Sequence, residues 1–354
     1  MEIDYSDALK AFDGELAEMH MRGQWLHDPQ RRESTAPPAE FGVRSEPSPA
    51  GVPHLWRWEE VYPKLARSCE ALTESYTARR ALAFKNPTLP RCTALTLNMA
   101  IQAIRPGEIA WAHRHTIAAI RFVIQGHEKL RTVVEGIAYP MENYDLVLTP
   151  SWTWHDHRND ADSMTLWLDV LDVPFVGNLH QGFYEELGNK MQPIRNQPET
   201  ADARLRPAWD GAATVGGCRY PWRDTERMLA AHEGAPGSPF DGLIFEYAGR
   251  PNGGPTLPTL SCSIQRLPPG FVGRPHRHTS SAVYFVLRGD GRTETGGEAM
   301  EWSRHDSFVV PNWSWHRHVN RSRTEDAVMF TTTDAPALRA LGLYREEAEG
   351  SLTH

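Results

Sequence analysis

The sequence predicts an all-β-dominated fold built from two copies of one barrel-forming unit, with helices at the flanks. Two observations predict it. The same pair of histidine-containing motifs occurs in both halves of the chain, and the segments between the motifs are short apolar runs such as RFVIQ and RTVVEG. Short strands separated by Gly, Pro and Asn are typical of a sandwich or barrel. A chain of 354 residues has room for two such domains.

The repeat consists of two motifs at nearly constant spacing. The first, Q-x₃-P-G-x₅-H-R-H-T, begins at Gln102 and again at Gln265, 163 residues later. The second begins at Pro150 (PSWTWHDHRN) and again at Pro311 (PNWSWHRHVN), 161 residues later. Two matches at almost the same offset indicate the duplication of one fold unit.

The duplication predicts four parts of the chain. They are a helical and extended N-terminal flank (1–90), a first barrel (91–182), an interdomain connection (183–255) and a second barrel (256–340). Helical spacing of apolar residues occurs in two stripes of the flank: Leu9, Phe12, Leu16 and Met19, and then Val61, Leu65, Cys69 and Leu72. These stripes are either packing faces or contacts of a homo-oligomer, which we expect to be a dimer or tetramer. The connection should contain one helix around Trp222 to Ala231.

Composition narrows the possible partners. A net charge of −8 without a basic tract argues against nucleic acid. No apolar run approaches the roughly 18 residues that cross a membrane. The first residues, MEIDYSDALK, lack the apolar region of a secretory signal. The four cysteines form no CxxC pair, which favours reduced thiols in a cytoplasmic protein.

The histidines of the first motif pair predict a metal site. His113 and His115 are two residues apart, so on a strand they project from the same face. His155, at the start of a later strand, would complete a three-histidine set that leaves the remaining coordination positions open, as catalysis requires. The second copy repeats the set as a second candidate site: His276, His278 and His316.

These motifs resemble a known superfamily. Gly107-x₅-His113-x-His115 and Pro150-x₄-His155-x₃-Asn159 resemble the two signature motifs of the cupins. The resemblance implies a bicupin, with two double-stranded β-helix jelly-roll barrels. The combination HRHT…RF…G with SWTWHDH…LD is similar to gentisate 1,2-dioxygenase and its relatives that act on salicylates and 1-hydroxy-2-naphthoate.

One departure from the cupin pattern bears on the substrate. The glutamate ligand usual in the first motif is replaced by Ala119 and Ile120, and in the second copy by Ala282 and Val283. Three neutral imidazoles leave a divalent cation its full charge, which a substrate chelating through a carboxylate and an adjacent phenolate would offset. The resemblance implies Fe(II), although the ligands alone also suit Mn, Co or Zn.

The resemblance also implies residues that hold the substrate. Arg121 is expected to pair with the substrate carboxylate, with one of Arg79 and Arg80 as a second candidate. Gln102 and His157 match positions that contact substrate oxygens. Asp169 is expected to orient His157 or a metal ligand.

The two copies differ where substrate would be held. Arg121 aligns with Tyr284, and Asp169 is expected to align with Phe330. We therefore expect the first barrel to be catalytic and the second to be mainly structural.

The predicted function is an Fe(II)-dependent dioxygenase that uses O₂ to cleave an ortho-hydroxy aromatic carboxylate between the hydroxyl-bearing and carboxyl-bearing carbons. Two alternatives stay open at this point. One is a two-metal bicupin decarboxylase or oxidase, which would use Mn and a glutamate ligand in each half. The other is a non-catalytic cupin that binds a small molecule.

Overall fold

The structure, a computed structural model, describes residues 7–21, 46–72, 80–195, 205–207, 218–249 and 253–350. The chain divides into two units, Met1–Pro47 and Ser48–His354. The first contains helix α1 (Asp7–Glu18), on which Phe12 is exposed. The predicted oligomer stays a prediction, which sedimentation velocity would test. In the N-terminal flank, the stretch Arg31 to Pro53 was predicted to be extended; its residues 31–45 lie outside the described residues.

The second unit contains two barrels, each formed by two facing sheets. The sheets of the first barrel have the strand orders β13-β8-β5-β10-β3-β2 and β11-β4-β9-β6-β7. Their strands are β2 (Arg80–Ala83), β3 (Asn98–Ile104), β4 (Ile109–His115), β5 (Ala119–Gln125), β6 (His127–Val134), β7 (Ile137–Met141), β8 (Leu146–Thr149), β9 (His155–Asn159), β10 (Thr165–Leu171), β11 (Tyr184–Glu186) and β13 (Arg219–Tyr220).

The second barrel repeats this plan. Its sheets have the orders β1-β20-β17-β22-β15-β14-β12 and β19-β18-β21-β16-β23. Their strands are β1 (His54–Trp56), β12 (Leu205–Pro207), β14 (Leu243–Tyr247), β15 (Ser261–Leu267), β16 (His276–His278), β17 (Ala282–Arg288), β18 (Gly291–Thr295), β19 (Glu298–Trp302), β20 (Ser307–Val310), β21 (His316–Asn320), β22 (Ala327–Thr333) and β23 (Glu346–Ala348). The predicted all-β-dominated fold with two barrels is confirmed.

Helices flank the barrels in the part of the second unit that the structure describes: α2 (Trp58–Ala71), α3 (Val173–Asn178), α4 (Trp222–Ala231) and α5 (Ala335–Ala340). Helix α4 has the bounds that the sequence predicted. On α2 the apolar stripe is a packing face, because Leu65 and Cys69 are buried in the main core. None of the helices among the described residues is long and apolar enough to cross a membrane.

The duplicated unit begins earlier in the chain than the motifs indicated. Strand β1 precedes the first barrel but pairs with β20 of the second, and β13 follows the first barrel and pairs with its β8. The helix that follows each of these strands begins with the same hydrogen bond to a buried aspartate. The Trp58 amide donates to Asp306, and the Trp222 amide donates to Asp145. Each barrel thus receives a strand from outside its predicted bounds. Residues 183–255, expected to be a connection, supply strands to both barrels.

The barrels pack through the outer faces of their larger sheets. Phe122 and Phe330 stack at a centroid distance of 4.2 Å in the shared core. Two matching side-chain bonds cross this interface: Thr259 donates to Asp172 at 2.6 Å, and Thr96 donates to Asp334 at 2.5 Å. The interface is therefore apolar at its centre, with a buried carboxylate on each barrel.

Asp334→Asn is expected to remove a pH dependence of stability. Burial raises the pKa of Asp334 to about 6, from a usual value of 3.8. The folded state thus binds this proton more tightly than the unfolded state, so the stabilisation is present at low pH and is lost as pH rises through the folded pKa. Between about pH 5 and about pH 7.5, the free energy of unfolding of the wild type should fall by about 1 kcal/mol relative to that of the Asn variant.

Urea unfolding of both proteins at the two pH values measures this difference. Asp290→Asn, which changes an exposed carboxylate, is the control. An equal response of wild type and Asp334→Asn to pH would contradict the prediction.

Candidate metal centre and substrate pocket

Three histidines meet inside the first barrel. Alternation along β4 directs His113 and His115 to the same face, and the register of β4 and β9 places His155 opposite His113. Their ligand nitrogens all lie within 4.8 Å of one another, and all three residues are buried. This spacing suits three ligands on one side of a single metal ion.

Backbone carbonyls fix the orientation of the three rings. Each Nδ1 lies beside the carbonyl of a residue two positions away: His113 and Trp111 at 2.6 Å, His115 and Ile117 at 2.8 Å, His155 and Thr153 at 2.9 Å. A carbonyl only accepts, so Nδ1 carries the proton and Nε2 presents its lone pair to the centre. The Nε2 of His155 is buried without a hydrogen-bond partner among the described residues, which fits a site for a cation.

The electrostatics of His155 favour its metal-binding form. Burial, and then the nearby charges of Arg121, His113 and His115, hold its pKa well below the usual value. A neutral imidazole is the form that ligates a metal, so protons compete little for this ligand near neutral pH.

The turn before His155 is held by the arginine between the first two histidines. The guanidinium of Arg114 lies 4.4 Å from the ring centroid of Trp152 and 4.5 Å from that of Trp154. Trp152 has a φ of 61°, and its amide donates to the His115 carbonyl at 2.7 Å. The second barrel repeats the stacking with Arg277 over two tryptophans. The H-R-H and W-x-W sequences therefore position each other.

A buried cation lies in the same lumen. Arg121 on β5 faces Asp169 on β10, with 3.5 Å between Nε and Oδ1. The guanidinium also donates to Thr149, and Asp169 accepts from the Trp167 indole at 2.9 Å. Asp169, expected to orient a histidine, thus braces Arg121. Thr149 lies on the neighbouring strand β8 and was not among the predicted site residues.

Two polar side chains complete the lumen. His157 lies with Nδ1 2.8 Å from the Thr132 hydroxyl, and its ring is 5.9 Å from that of His155. Gln102 is on the neighbouring strand β3 and is buried. Its amide nitrogen has no hydrogen-bond partner in the part of the chain that the structure describes.

Arg80 does not fit the predicted contact with substrate. It lies opposite Ala103, on the face of the sheet that packs against the second barrel, whereas Arg121 is on the lumen face. Its guanidinium donates to Glu108 at 2.6 Å and to the Leu72 carbonyl at 3.1 Å. The other candidate, Arg79, lies outside the described residues.

Tyr184 is a residue that the sequence analysis missed. Strand β11 pairs with β4, with Tyr184 opposite His115, and the tyrosine ring stacks on His113 at a centroid distance of 5.4 Å. More than half of the side chain is exposed, which places it at the mouth of the pocket. The repeat could have indicated it, because Glu346 occupies the same position opposite His278.

The second barrel has a different lumen. Tyr284 replaces Arg121, as predicted, but the residue opposite Tyr284 is Thr331. The expected match of Asp169 with Phe330 is therefore wrong by one residue, since the segment between β21 and β22 is one residue longer than that between β9 and β10. Thr331 carries no charge, so the conclusion that this barrel lacks the Arg–Asp pair holds.

The fold and the site together define a bicupin with a three-histidine centre and a buried Arg121–Asp169 ion pair in the same lumen. A model of the cupin domain matches residues 100–171 and again residues 263–333. The 1-hydroxy-2-naphthoate 1,2-dioxygenase of Nocardioides sp. is 39% identical over 99% of this chain and 90% of that protein. The 5-aminosalicylate 1,2-dioxygenase of a Comamonas species is 41% identical over 91% of this chain and 89% of that protein.

A solved structure agrees. The salicylate 1,2-dioxygenase of Pseudoaminobacter salicylatoxidans, as a point mutant in complex with gentisate, superposes with a TM-score of 0.81 at 30% identity, covering 99% of this chain and 97% of that one. The chain belongs to the gentisate and salicylate 1,2-dioxygenase family of ring-cleaving enzymes. This membership favours neither the decarboxylase nor the non-catalytic module.

His155→Ala is expected to abolish metal binding at the first centre, because three ligands leave none to spare. His157→Ala is the matched control, since that ring is bonded to Thr132 and is not one of the three clustered histidines. Metal content after anaerobic loading, measured by elemental analysis, should fall by one equivalent per chain in the first variant only. Unchanged metal content in His155→Ala would remove this residue from the centre.

Proposed function

We propose that this protein is an Fe(II)-dependent dioxygenase that cleaves the ring of an ortho-hydroxy aromatic carboxylate, between the carbons bearing the hydroxyl and carboxyl groups. The candidates are gentisate, salicylate and substituted salicylates. The observation that carries the proposal is a buried guanidinium, Arg121, in the same lumen as a cluster of three histidines, where Ala119 stands at a position of the usual cupin glutamate. The similarity to 1-hydroxy-2-naphthoate, 5-aminosalicylate and salicylate 1,2-dioxygenases supports the same chemistry.

The charge of the centre favours such a substrate. Ala119 shares the lumen face with Arg121 and has no ligating group, so the neutral histidines leave a divalent cation with charge 2+. A carboxylate and an adjacent phenolate together bring 2−, which would offset the charge of that cation. A carboxylate ligand from the protein would make the complex anionic in a buried site, at greater cost.

Iron is the metal we propose for His113, His115 and His155. When bound, Fe(II) would supply the redox chemistry through which O₂ reacts with the ring, which a redox-inert cation such as Zn²⁺ does not offer. The three histidines would hold the ion on one side and leave its remaining coordination positions open. The protein provides these ligands in one tautomer and keeps water away by burial.

Arg121 is proposed to hold the substrate carboxylate. A guanidinium has five N–H donors in a planar fork, so it can bond Asp169 and a carboxylate at the same time. Asp169 and Thr149 restrict the rotation of the guanidinium, which positions it for that contact. Gln102 and His157 are proposed to hydrogen-bond the substrate oxygens, and Tyr184 to contact the aromatic ring at the entrance.

A panel of isomers tests the proposed reaction. Anaerobically Fe(II)-loaded enzyme should consume O₂ with salicylate, gentisate, 5-aminosalicylate or 1-hydroxy-2-naphthoate and form a ring-opened product. The meta isomer 3-hydroxybenzoate and the methyl ester of salicylate are controls, because neither can chelate through two adjacent anionic oxygens. Oxygen uptake with the controls, or with no acid of the panel, would contradict the proposal.

Arg121→Ala is expected to raise KM and to lower kcat. Removing one side of a buried charge pair costs roughly 2–5 kcal/mol, or about 30-fold to several thousand-fold in kcat/KM. Arg121→Lys should recover part of the loss, because it restores the charge without the planar fork. Tyr284→Phe, at the matching position of the second barrel, is the control.

Steady-state oxygen uptake measures these constants, and circular dichroism and iron content verify that each variant is folded and loaded. A folded, loaded Arg121→Ala enzyme with wild-type kcat/KM would show that the carboxylate is held elsewhere.

A further inference from the structure

The second barrel contains its own three-histidine cluster. The ligand nitrogens of His276, His278 and His316 lie within 4.8 Å of one another. Carbonyls two residues away fix two of these rings, His278 through Ser280 at 2.7 Å and His316 through Ser314 at 2.9 Å. The Nε2 of His316 is buried without a partner among the described residues. These features repeat those of the first cluster at two of the three rings. The third ring differs, because the Nδ1 of His276 is buried without a hydrogen-bond partner among the described residues, whereas that of His113 lies beside a carbonyl.

A carboxylate lies at the edge of this second cluster, outside the 4.8 Å within which the three histidine nitrogens lie of one another. Asp241, in the turn before β14, has its Oδ1 4.0 Å from the Nε2 of His276. Two side chains hold the carboxylate: the Gln265 amide donates to Oδ1 at 3.2 Å, and the Ser238 hydroxyl donates to Oδ2 at 3.4 Å. A metal-ligating carboxylate is typically supported by hydrogen bonds of this kind.

The first barrel has no matching carboxylate in its sequence. The register of β2 with β3 and of β14 with β15 aligns Arg80 with Leu243, and the residue that then aligns with Asp241 is Ala78. Gln102 also differs from its counterpart: its amide nitrogen lacks a partner among the described residues, whereas that of Gln265 is bonded to Asp241.

We propose that the second barrel binds a divalent cation through His276, His278, His316 and Asp241, as a structural site that does not cleave substrate. Three imidazoles and one carboxylate are a ligand set that Zn²⁺ accepts in tetrahedral geometry, and it leaves less room for further ligands than three imidazoles alone. The ion would join the turn before β14 to strands β16 and β21, and so stabilise the barrel.

The charges around this second site would also exclude an aromatic acid. Tyr284 stands in place of the cation Arg121, and Asp241 and Glu346 add negative charge near the histidines. A dianionic substrate would meet a metal already partly neutralised and no guanidinium at that position. This consequence rests on the proposed function, whereas the metal site itself does not.

Metal stoichiometry tests the site without reference to catalysis. Chelator-treated enzyme is titrated anaerobically with Zn²⁺ and, separately, Fe²⁺, and bound metal is measured after gel filtration. We expect two equivalents per chain in the wild type and one in each of two matched variants, His155→Ala and His316→Ala. Only the first of these should lose ring cleavage when loaded with Fe²⁺. A wild type that binds one equivalent, with His316→Ala unchanged, would overturn the proposal.

Asp241→Asn tests the fourth ligand. In the His155→Ala background only the second site remains, and there Asp241→Asn should weaken Zn²⁺ affinity at least 10-fold, the scale seen when a supporting group of a metal site is lost. Glu298→Gln, an exposed carboxylate on β19 of the same barrel, is the control and should leave the affinity unchanged.

Visible absorption of bound Co²⁺ and the Tm test the second site independently of Zn²⁺ affinity. Co²⁺ in the second site should give the stronger visible absorption of a four-ligand tetrahedral centre, and Asp241→Asn should weaken it. Chelation should lower the Tm of His155→Ala, because the metal binds the folded barrel. Unchanged affinity and absorption in Asp241→Asn would remove the carboxylate from the site, and an unchanged Tm on chelation would exclude the structural role.

Discussion

The site of this protein depends on one interaction, the hydrogen bond from each histidine Nδ1 to a backbone carbonyl two residues away. A side-chain partner could rotate, but a carbonyl within or beside a strand is fixed by the sheet. The position of each Nε2 lone pair is therefore set by strand pairing, above all by the pairing of His113 with His155. The stacking of Arg114 on Trp152 and Trp154 then fixes the turn that leads into β9. The ligand geometry therefore follows from the strand pairing of the barrel.

The second constraint is charge in a buried space. A guanidinium inside a barrel is costly unless it is paired, and Asp169 supplies the pair. The pair is neutral overall, so the positive charge that a substrate would meet there would come mainly from a bound metal ion. In the second barrel Tyr284 and Thr331 occupy these positions, and no such cost arises. The same fold thus holds two lumens with different electrostatics.

The sequence was sufficient for the fold class and for bringing together the histidines, because a strand period of two and a duplicated motif are both local patterns. It was insufficient wherever a result depended on pairing between distant segments. Arg80 was misplaced because the face on which it lies is set by its register with Ala103. Thr331 was missed because one additional residue in a loop shifts the alignment, and Tyr184 because β11 returns to the barrel from a segment without motifs. The pairing of β1 and β13 with their barrels has no signal in hydrophobic period.

The packing of the two larger sheets also gives the second barrel a structural role, because it covers the sheet of the first barrel that carries Arg121 and Asp169. Strand β8, which carries Thr149 beside Arg121, has β13 as its outer neighbour, and β13 is held by Arg219 bonded to Asp145. The outer face of the same sheet presents Phe122 to Phe330. Without the second barrel, this sheet would expose an apolar face to water and lose the support behind Arg121 and Asp169. The second barrel therefore supports the sheet that carries Arg121 and Asp169, and a metal ion that stabilises this barrel would support the sheet through the same contacts.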